Sequence, residues 1–445
     1  MTAEIGVLNK SGVALAADSA VTIGNGRKIY NSANKLFALS KFHPVGIMIY
    51  GTADFMGVPW ETIIKVYRHK LSDKHYSNLE RYATDFVDFL TNNPFKELSS
   101  TSEQDSYLQF LFDVKIESIR DRIINLAKEI VNGNEEITPD DLEKYFSVIT
   151  EEEIIEEFEY YNQLEYIQEF SDDDFNILVQ NYSQTIYQLI EEKFENIPVD
   201  QSLFEKILGI CIYYVLKEFT SDQTGLVIAG FGEDEIYPTL ISYVIEGKIN
   251  NKLKVEISNK AEIGESGSAA AIIPFAQSDM VHTFISGIDP DIERLSNEYL
   301  GNIFKSLPQE LLNFIKENTT LENENYNELV ESFEEVSNNL FEEYRNAIDN
   351  YRNEHYINPI IGIVRNLPKD ELAEMAEALV NLTSFKRRVS SSLETVGGPV
   401  DVAVITKGDG FIWIKRKHYF SSELNQQFFQ KYLRGERHVA THIEE

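Results

Sequence analysis

The chain has 445 residues and a single cysteine, Cys211, so an internal disulfide is excluded. No stretch reaches 18 consecutive apolar residues, so no membrane-spanning helix is expected. The first residues show no basic region followed by an apolar one, so no secretory signal is expected and a cytoplasmic location is. Basic residues are scarce: 40 Lys and Arg stand against 73 Asp and Glu, a formal charge of −33. Such a surface disfavours nucleic acid, whose binding draws on basic contacts to phosphate. The eight histidines are scattered. His438 and His442 are four apart in a terminal tail and are not expected to hold a metal, and no cofactor is expected.

The charge deficit is unevenly spread. Residues 71–220 hold 33 acids against 11 bases, and residues 289–355 hold 16 against 5. Those two regions account for the whole net charge, so the rest reads as a neutral core interrupted by two acidic insertions. The runs Glu151-Glu152-Glu153 and Asp172-Asp173-Asp174 lack calcium-loop spacing and read as solvated helix ends. Thr138-Pro139 reads as a helix start, and Ser202 with Glu205 as a capping pair for a core helix at 203–219. Cys211 falls in the apolar run of that helix and reads as buried rather than reactive.

The chain begins Met1-Thr2. Were the methionine removed, Thr2 would carry a hydroxyl nucleophile and a free α-amine together. That amine has an ordinary pKa of roughly 7.7–8.0 and is partly unprotonated at neutral pH. An adjacent amine is one way to activate a weak hydroxyl nucleophile. After Thr2 come two apolar strands around the turn Asn9-Lys10-Ser11-Gly12, and Asp18 closes the second. Val45 to Gly51 is a nearly continuous apolar run, as in a strand covered on both faces, and it ends on a glycine. Taken singly, Asp18 also suits a turn, Lys35 a strand edge, Gly51 strand packing, Thr22 an exposed loop, and Ser266 a flexible Gly-Ser linker.

Further along, 226–230, 240–244 and 253–257 read as strands, and 269–286 as a helix with Pro274 near its start. Pro368 opens a helix with Leu372, Met375, Leu379, Leu382 and Phe385 on one face. A closing hairpin spans 401–415. This order implies an α+β fold, a four-layer αββα sandwich. The core would comprise 2–71, 200–288 and 366–420, with helical insertions at 72–199 and 289–365 and a tail at 421–445.

Five pieces in sequence carry a family resemblance. They are Thr2; Gly12-Val13-Ala14-Leu15-Ala16-Ala17-Asp18; Lys35-Leu36-Phe37; Ile49-Tyr50-Gly51; and Gly264-Glu265-Ser266 with the later Gly397-Gly398-Pro399-Val400-Asp401. Together they resemble a proteasome β-type N-terminal-nucleophile hydrolase, most closely the bacterial Anbu-type relatives. The resemblance covers about half of the chain. It implies Thr2 as nucleophile, Lys35 as the cation beside its hydroxyl, Asp18 as partner of Lys35, Gly51 N–H at the oxyanion and Ser266 at the terminal amine. Thr22 would pair with an extended peptide, and Ile49 would line the side-chain pocket. Leu393 and Val396 depart from the family, whose proteasome subunits carry an Asp and a Ser there.

The implied activity is a threonine peptidase acting on peptide or unfolded-protein substrates. Its implied partners are further copies in a ring or spiral, and an ATPase or adaptor. Two other readings stay open: an amidohydrolase using the same chemistry on a small amide, and a non-catalytic scaffold.

Overall fold

The computed structural model describes residues 2–23, 28–92, 101–133, 139–220, 222–264, 267–318, 326–390, 396–418, 420–421, 423–427 and 430. They form an α+β structure around two antiparallel five-stranded sheets. Strands β1 (Ala3–Asn9) and β2 (Gly12–Ala17) make the opening hairpin, with Glu4 opposite Ala17. The Asn9 side chain accepts from Ser11 N at 2.8 Å to shape the turn, and its amide donates to the carbonyls of Val364 and Leu367. A ribbon of β3 (Val21–Ile23) and β4 (Lys28–Tyr30) follows. Then come β5 (Leu36–Ala38), β6 (Val45–Gly51) and the short pair β7 (Asp54–Phe55) and β8 (Val58–Pro59).

Helices α1 (Trp60–Leu71) and α2 (Leu79–Thr91) lead into α3 (Thr101–Gly133), α4 (Pro139–Gln163), α5 (Asp172–Lys193) and α6 (Gln201–Lys217). Four strands return: β9 (Thr224–Gly230), β10 (Thr239–Ile249), β11 (Lys252–Glu262) and β12 (Ala270–Ala276). Helices α7 (Asp279–Ser286), α8 (Pro290–Asn318) and α9 (Tyr326–Arg352) run through a π-helical turn into α10 (Asn358–Val364) and α11 (Lys369–Val389). The hairpin β13 (Asp401–Thr406) and β14 (Gly410–Lys415) closes the first sheet, whose order is β12-β1-β2-β13-β14. The second runs β11-β10-β9-β6-β5.

Strand alternation assigns the faces. Ala3, Ile5 and Val7 pack beneath Leu372, Ala376 and Val380 of α11. Leu8, Val13, Leu15 and Ala17 turn the other way, against Met48, Val227, Ala229 and Leu240 of the second sheet. The far face of that sheet meets α1 and α2 through Ile47, Ile228, Ile241, Trp60, Ile64 and Phe86. Each such buried aliphatic or aromatic side chain contributes about 1.5–3 kcal/mol. Covering on both faces explains why β2 and β6 are apolar without alternation.

Several sequence expectations resolve differently. The helix beside α1 over the second sheet is α2, whereas the 203–219 stretch packs as α6 among α3, α4 and α5. Six consecutive residues of α6, Ile207 to Ile212, are buried, so it needs helices around it rather than one sheet beneath it. Its cap is Asp200, accepting from Leu203 N at 2.9 Å, in place of Ser202. Residues 269–286 divide into β12 and α7, and Pro274 faces Ile5 on an edge strand, where proline is tolerated. Phe385 is exposed, because the buried face of α11 runs through Ala373, Ala376 and Thr383. Glu151 to Glu153 lie inside α4, while Asp174 completes a capping box with Ser171 at the start of α5. Thr138 lies outside the described residues.

The helices α3 to α6 are tied to the second sheet by a buried network. Lys254 Nζ lies 2.9 Å from Glu246 Oε2 and also donates to the Glu218 carbonyl. Glu246 accepts from Thr220 N and Thr220 Oγ1, both at 2.9 Å, and from the Tyr107 hydroxyl on α3. Among the described residues no helix is long and apolar enough to cross a membrane.

Candidate active site

Thr2 stands one residue before β1 and is 4 % exposed. Its carbonyl accepts from Gln277 N at 3.0 Å, which pins it to the end of β12. The hairpin register brings Asp18 back to the same place: Asp18 N donates to the Ala3 carbonyl at 3.1 Å. Asp18 Oδ1 accepts from Ala3 N at 3.3 Å, and Oδ2 accepts from Gly397 N at 2.9 Å and Ala20 N at 3.3 Å. The loop before β13 thereby anchors the carboxyl that closes β2. Lys35 precedes β5, and its carbonyl accepts from Ile49 N at 2.9 Å. Its Nζ donates to Asp18 Oδ1 at 2.6 Å and to Thr2 Oγ1 at 2.9 Å. Three residues from the first 35 positions therefore form one buried, hydrogen-bonded group.

That group opens on a cavity of about 190 Å³ whose walls include Thr2, Lys35, Val21, Ile49, Gly51 and Glu61. Gly51 ends β6 at φ 90°, and a Cβ there would lie 2.4 Å from the Gln223 carbonyl oxygen, so the position requires glycine. Ile49 is buried in the cluster under α1 and forms part of the cavity wall. Glu61, in the first turn of α1, accepts from Asn34 Nδ2 at 3.2 Å and pairs with Lys65. Burial pushes its carboxyl up, but the hydrogen bonds from Lys65 and Asn34 outweigh this and hold it below the usual range. Thr22 sits on β3 opposite Ile29, and its neighbour Val21 reaches the cavity. Ser266 and Leu393 lie outside the described residues, as do His438 and His442. Val396 is buried in the apolar cluster beneath α11.

Sequence reasoning missed Glu4. It is fully buried, and neither carboxyl oxygen has a hydrogen-bond partner among the described residues. Burial drives its pKa well up, Lys35 draws it down, and Asp18 pushes it up again. The available signal was its spacing: strand period two puts it on the same face of the hairpin as Thr2. Its cross-strand neighbour Phe275 stacks on Tyr50 with ring centroids 5.7 Å apart. Tyr50 in turn lies across Gly225, where a Cβ would fall 1.9 Å from its ring.

A larger cavity, of about 410 Å³, lies by α3 and α4. Its Lys115 pairs with Glu157 at 2.5 Å, Arg122 pairs with Glu153 at 2.8 Å, and Glu218 accepts from Tyr161. Cys211 is buried within α6, and burial pushes its thiol up.

No family model and no curated protein matches the chain. Among solved structures it is similar to Anbu (ancestral beta-subunit) from Yersinia bercovieri, at 8 % identity over 100 % of this chain and 98 % of that one, with a TM-score of 0.27. It is similar to the helical assembly of the Anbu complex from Pseudomonas aeruginosa at 7 % identity, over 100 % and 97 % of the two chains, with a TM-score of 0.27. Anbu from Hyphomicrobium sp. strain MC1 gives 9 % identity, 100 % and 98 % coverage, and a TM-score of 0.27. The proteins found are of the same Anbu type that the order of motifs in this chain resembles.

Proposed function

We infer that the chain is an N-terminal threonine peptidase. The observation that carries this reading is Lys35 Nζ bridging Thr2 Oγ1 at 2.9 Å and Asp18 Oδ1 at 2.6 Å at the wall of a cavity. Removal of Met1 frees the Thr2 amine. Thr2 Oγ attacks the peptide carbonyl while the amine, directly or through a water, takes its proton. Lys35, as an ammonium held by Asp18, stabilises the negative charge growing on Oγ. The Gly51 N–H serves the oxyanion, a term worth roughly 3–4 kcal/mol per donor. The C–N bond then breaks, the amine returns the proton to the leaving group, and water hydrolyses the threonyl ester. Ser266 is assigned to the terminal amine and Thr22 to the backbone of an extended peptide. The Ile49 wall receives an apolar side chain.

The fold reading that accompanies this function is a four-layer αββα sandwich. Its core follows 2–71, 200–288 and 366–420, except that α2 joins it over the second sheet and α6 sits with the inserted helices, and it carries acidic insertions at 72–199 and 289–365 and a tail at 421–445. The two sheets sharing one apolar cluster, with helices on both outer faces, support it. We assign the enzyme to the cytoplasm and to a homo-oligomeric ring or spiral, served by an ATPase or adaptor, with no cofactor.

The size of the cavity, about 190 Å³, favours one competing reading, an amidohydrolase for small amides. Intact mass with and without an epoxyketone tests the assignment. The expected result is loss of Met1 and one adduct at Thr2, with turnover of fluorogenic peptides. Retained Met1 points to a scaffold, and cleavage of small amides alone points to the amidohydrolase.

A further inference from the structure

Glu4 is an anomaly that the assigned roles do not use. A carboxyl with no exposed surface and no hydrogen-bond partner among the described residues is costly to keep charged, since it has lost its water. It nevertheless stands two residues from the nucleophile, on the same face of β1, within electrostatic reach of Lys35 and Asp18. Around it, the end of β2 brings Asp18 and the segment before β5 brings Lys35. Strand β6 brings the Tyr50 hydroxyl, whose own pKa is raised by burial and then by Glu4. Strand β12 brings the uncharged ring of Phe275. Just before its own strand lies the Thr2 amine that processing would free.

Resting on the peptidase reading, we propose that Glu4 is a positioning residue of this site, a carboxyl kept in its neutral form so that the Lys35 cation remains committed to Asp18 and Thr2. While Glu4 is neutral, Lys35 faces a single carboxylate, and its field falls on Thr2 Oγ. When Glu4 ionises, a second negative charge competes for the same cation and opposes the charge developing on the nucleophile. The proton leaves to solvent, and no bond to substrate is involved. Ionisation of Glu4 therefore lowers the reactivity of the site on the alkaline side.

Folding and pH are linked through the same group. The unfolded carboxyl ionises near its ordinary value of 4.5, whereas the folded one holds its proton to higher pH. The pH-dependent part of its burial cost is therefore absent below the unfolded value and grows as pH climbs to the folded one.

The test compares the full-length protein with Glu4→Gln over pH 5–9.5 by two measurements. The first is the rate of peptide turnover, or of Thr2 labelling by an epoxyketone. The wild-type rate is expected to fall at least threefold on the alkaline side, and the Glu4→Gln rate to stay level there. The second is thermal unfolding. The melting temperature of Glu4→Gln relative to wild type is expected to rise steadily with pH. Parallel pH–rate profiles, or a melting difference that is constant across the range, overturn the proposal. If neither protein is labelled or turns over any peptide, the peptidase reading fails instead. The melting difference then still decides: a constant value sinks the buried neutral carboxyl, and a rising one upholds it.

Discussion

On the proposed peptidase reading, two buried lysine–carboxylate pairs divide this molecule between scaffold and chemistry. At the seam between sheet and helices, Lys254 and Glu246 are both fully buried, and Glu246 is bonded on every side, to Lys254, Thr220 and Tyr107. At the end of the opening hairpin, Lys35 and Asp18 are nearly as buried, but Lys35 spends one bond on the Thr2 hydroxyl, which borders a cavity. A saturated polar network fixes position and has nothing left over for a ligand. An ion pair that shares its cation with a hydroxyl beside open space holds a reactive group ready. Burial and a close ion pair are thus common to both; the hydroxyl at the cavity wall tells them apart.

The sharpest break in that comparison is expected at Thr2 and Lys35. Thr2→Ala and Lys35→Met should each lower peptide turnover by about 10³-fold or more, roughly 4 kcal/mol in the barrier, and Thr2→Ala should leave the melting temperature within a few degrees. Steady-state kinetics and calorimetry on the same preparations check both halves. Lys254→Met should do the reverse. It leaves Glu246 buried without its cation and should cost about 3–5 kcal/mol of stability in denaturant titration, while turnover per folded molecule stays near wild type. A loss of turnover without a loss of stability would place Lys254 on the chemical side.

Gly51→Ala is expected to sit between the two. The new methyl meets the Gln223 carbonyl in a backbone conformation that side chains rarely adopt, so it should cost about 1–3 kcal/mol of stability together with a drop in kcat. The smallest effect concerns long-range charge. Peptides with basic flanks should be turned over a few-fold faster than acidic ones at low ionic strength, and about 0.5 M salt should erase the difference. Equal rates at low salt would show that the net charge of −33 lies too far from the cavity to matter.

What the sequence revealed follows local spacing. Asp18 and Lys35 sit at fixed distances from Thr2 along a hairpin and the strand that follows, and the structure brings the three into contact. The apolar run of β6 correctly implied a strand covered on both faces. Glu4 stayed hidden because Thr2-Ala3-Glu4-Ile5 alternates like a strand with one wet face, and a second sheet covers that face. Residues 270–276 look helical because their apolar content has no period of two. Their strand pairing is imposed by β1, hundreds of residues earlier. Which helix covers the second sheet was equally non-local: α6 is the more apolar, and that is why it sits among helices instead.

Gly225 carries a consequence well beyond its size. It has no functional group and lies on a strand of the opposite sheet, yet the absent methyl is the space in which the Tyr50 ring lies. Any side chain there would lever that ring away from Phe275, the cross-strand neighbour of the buried acid on β1. The surroundings of a carboxyl near the chain's beginning thus depend on an empty position more than two hundred residues later.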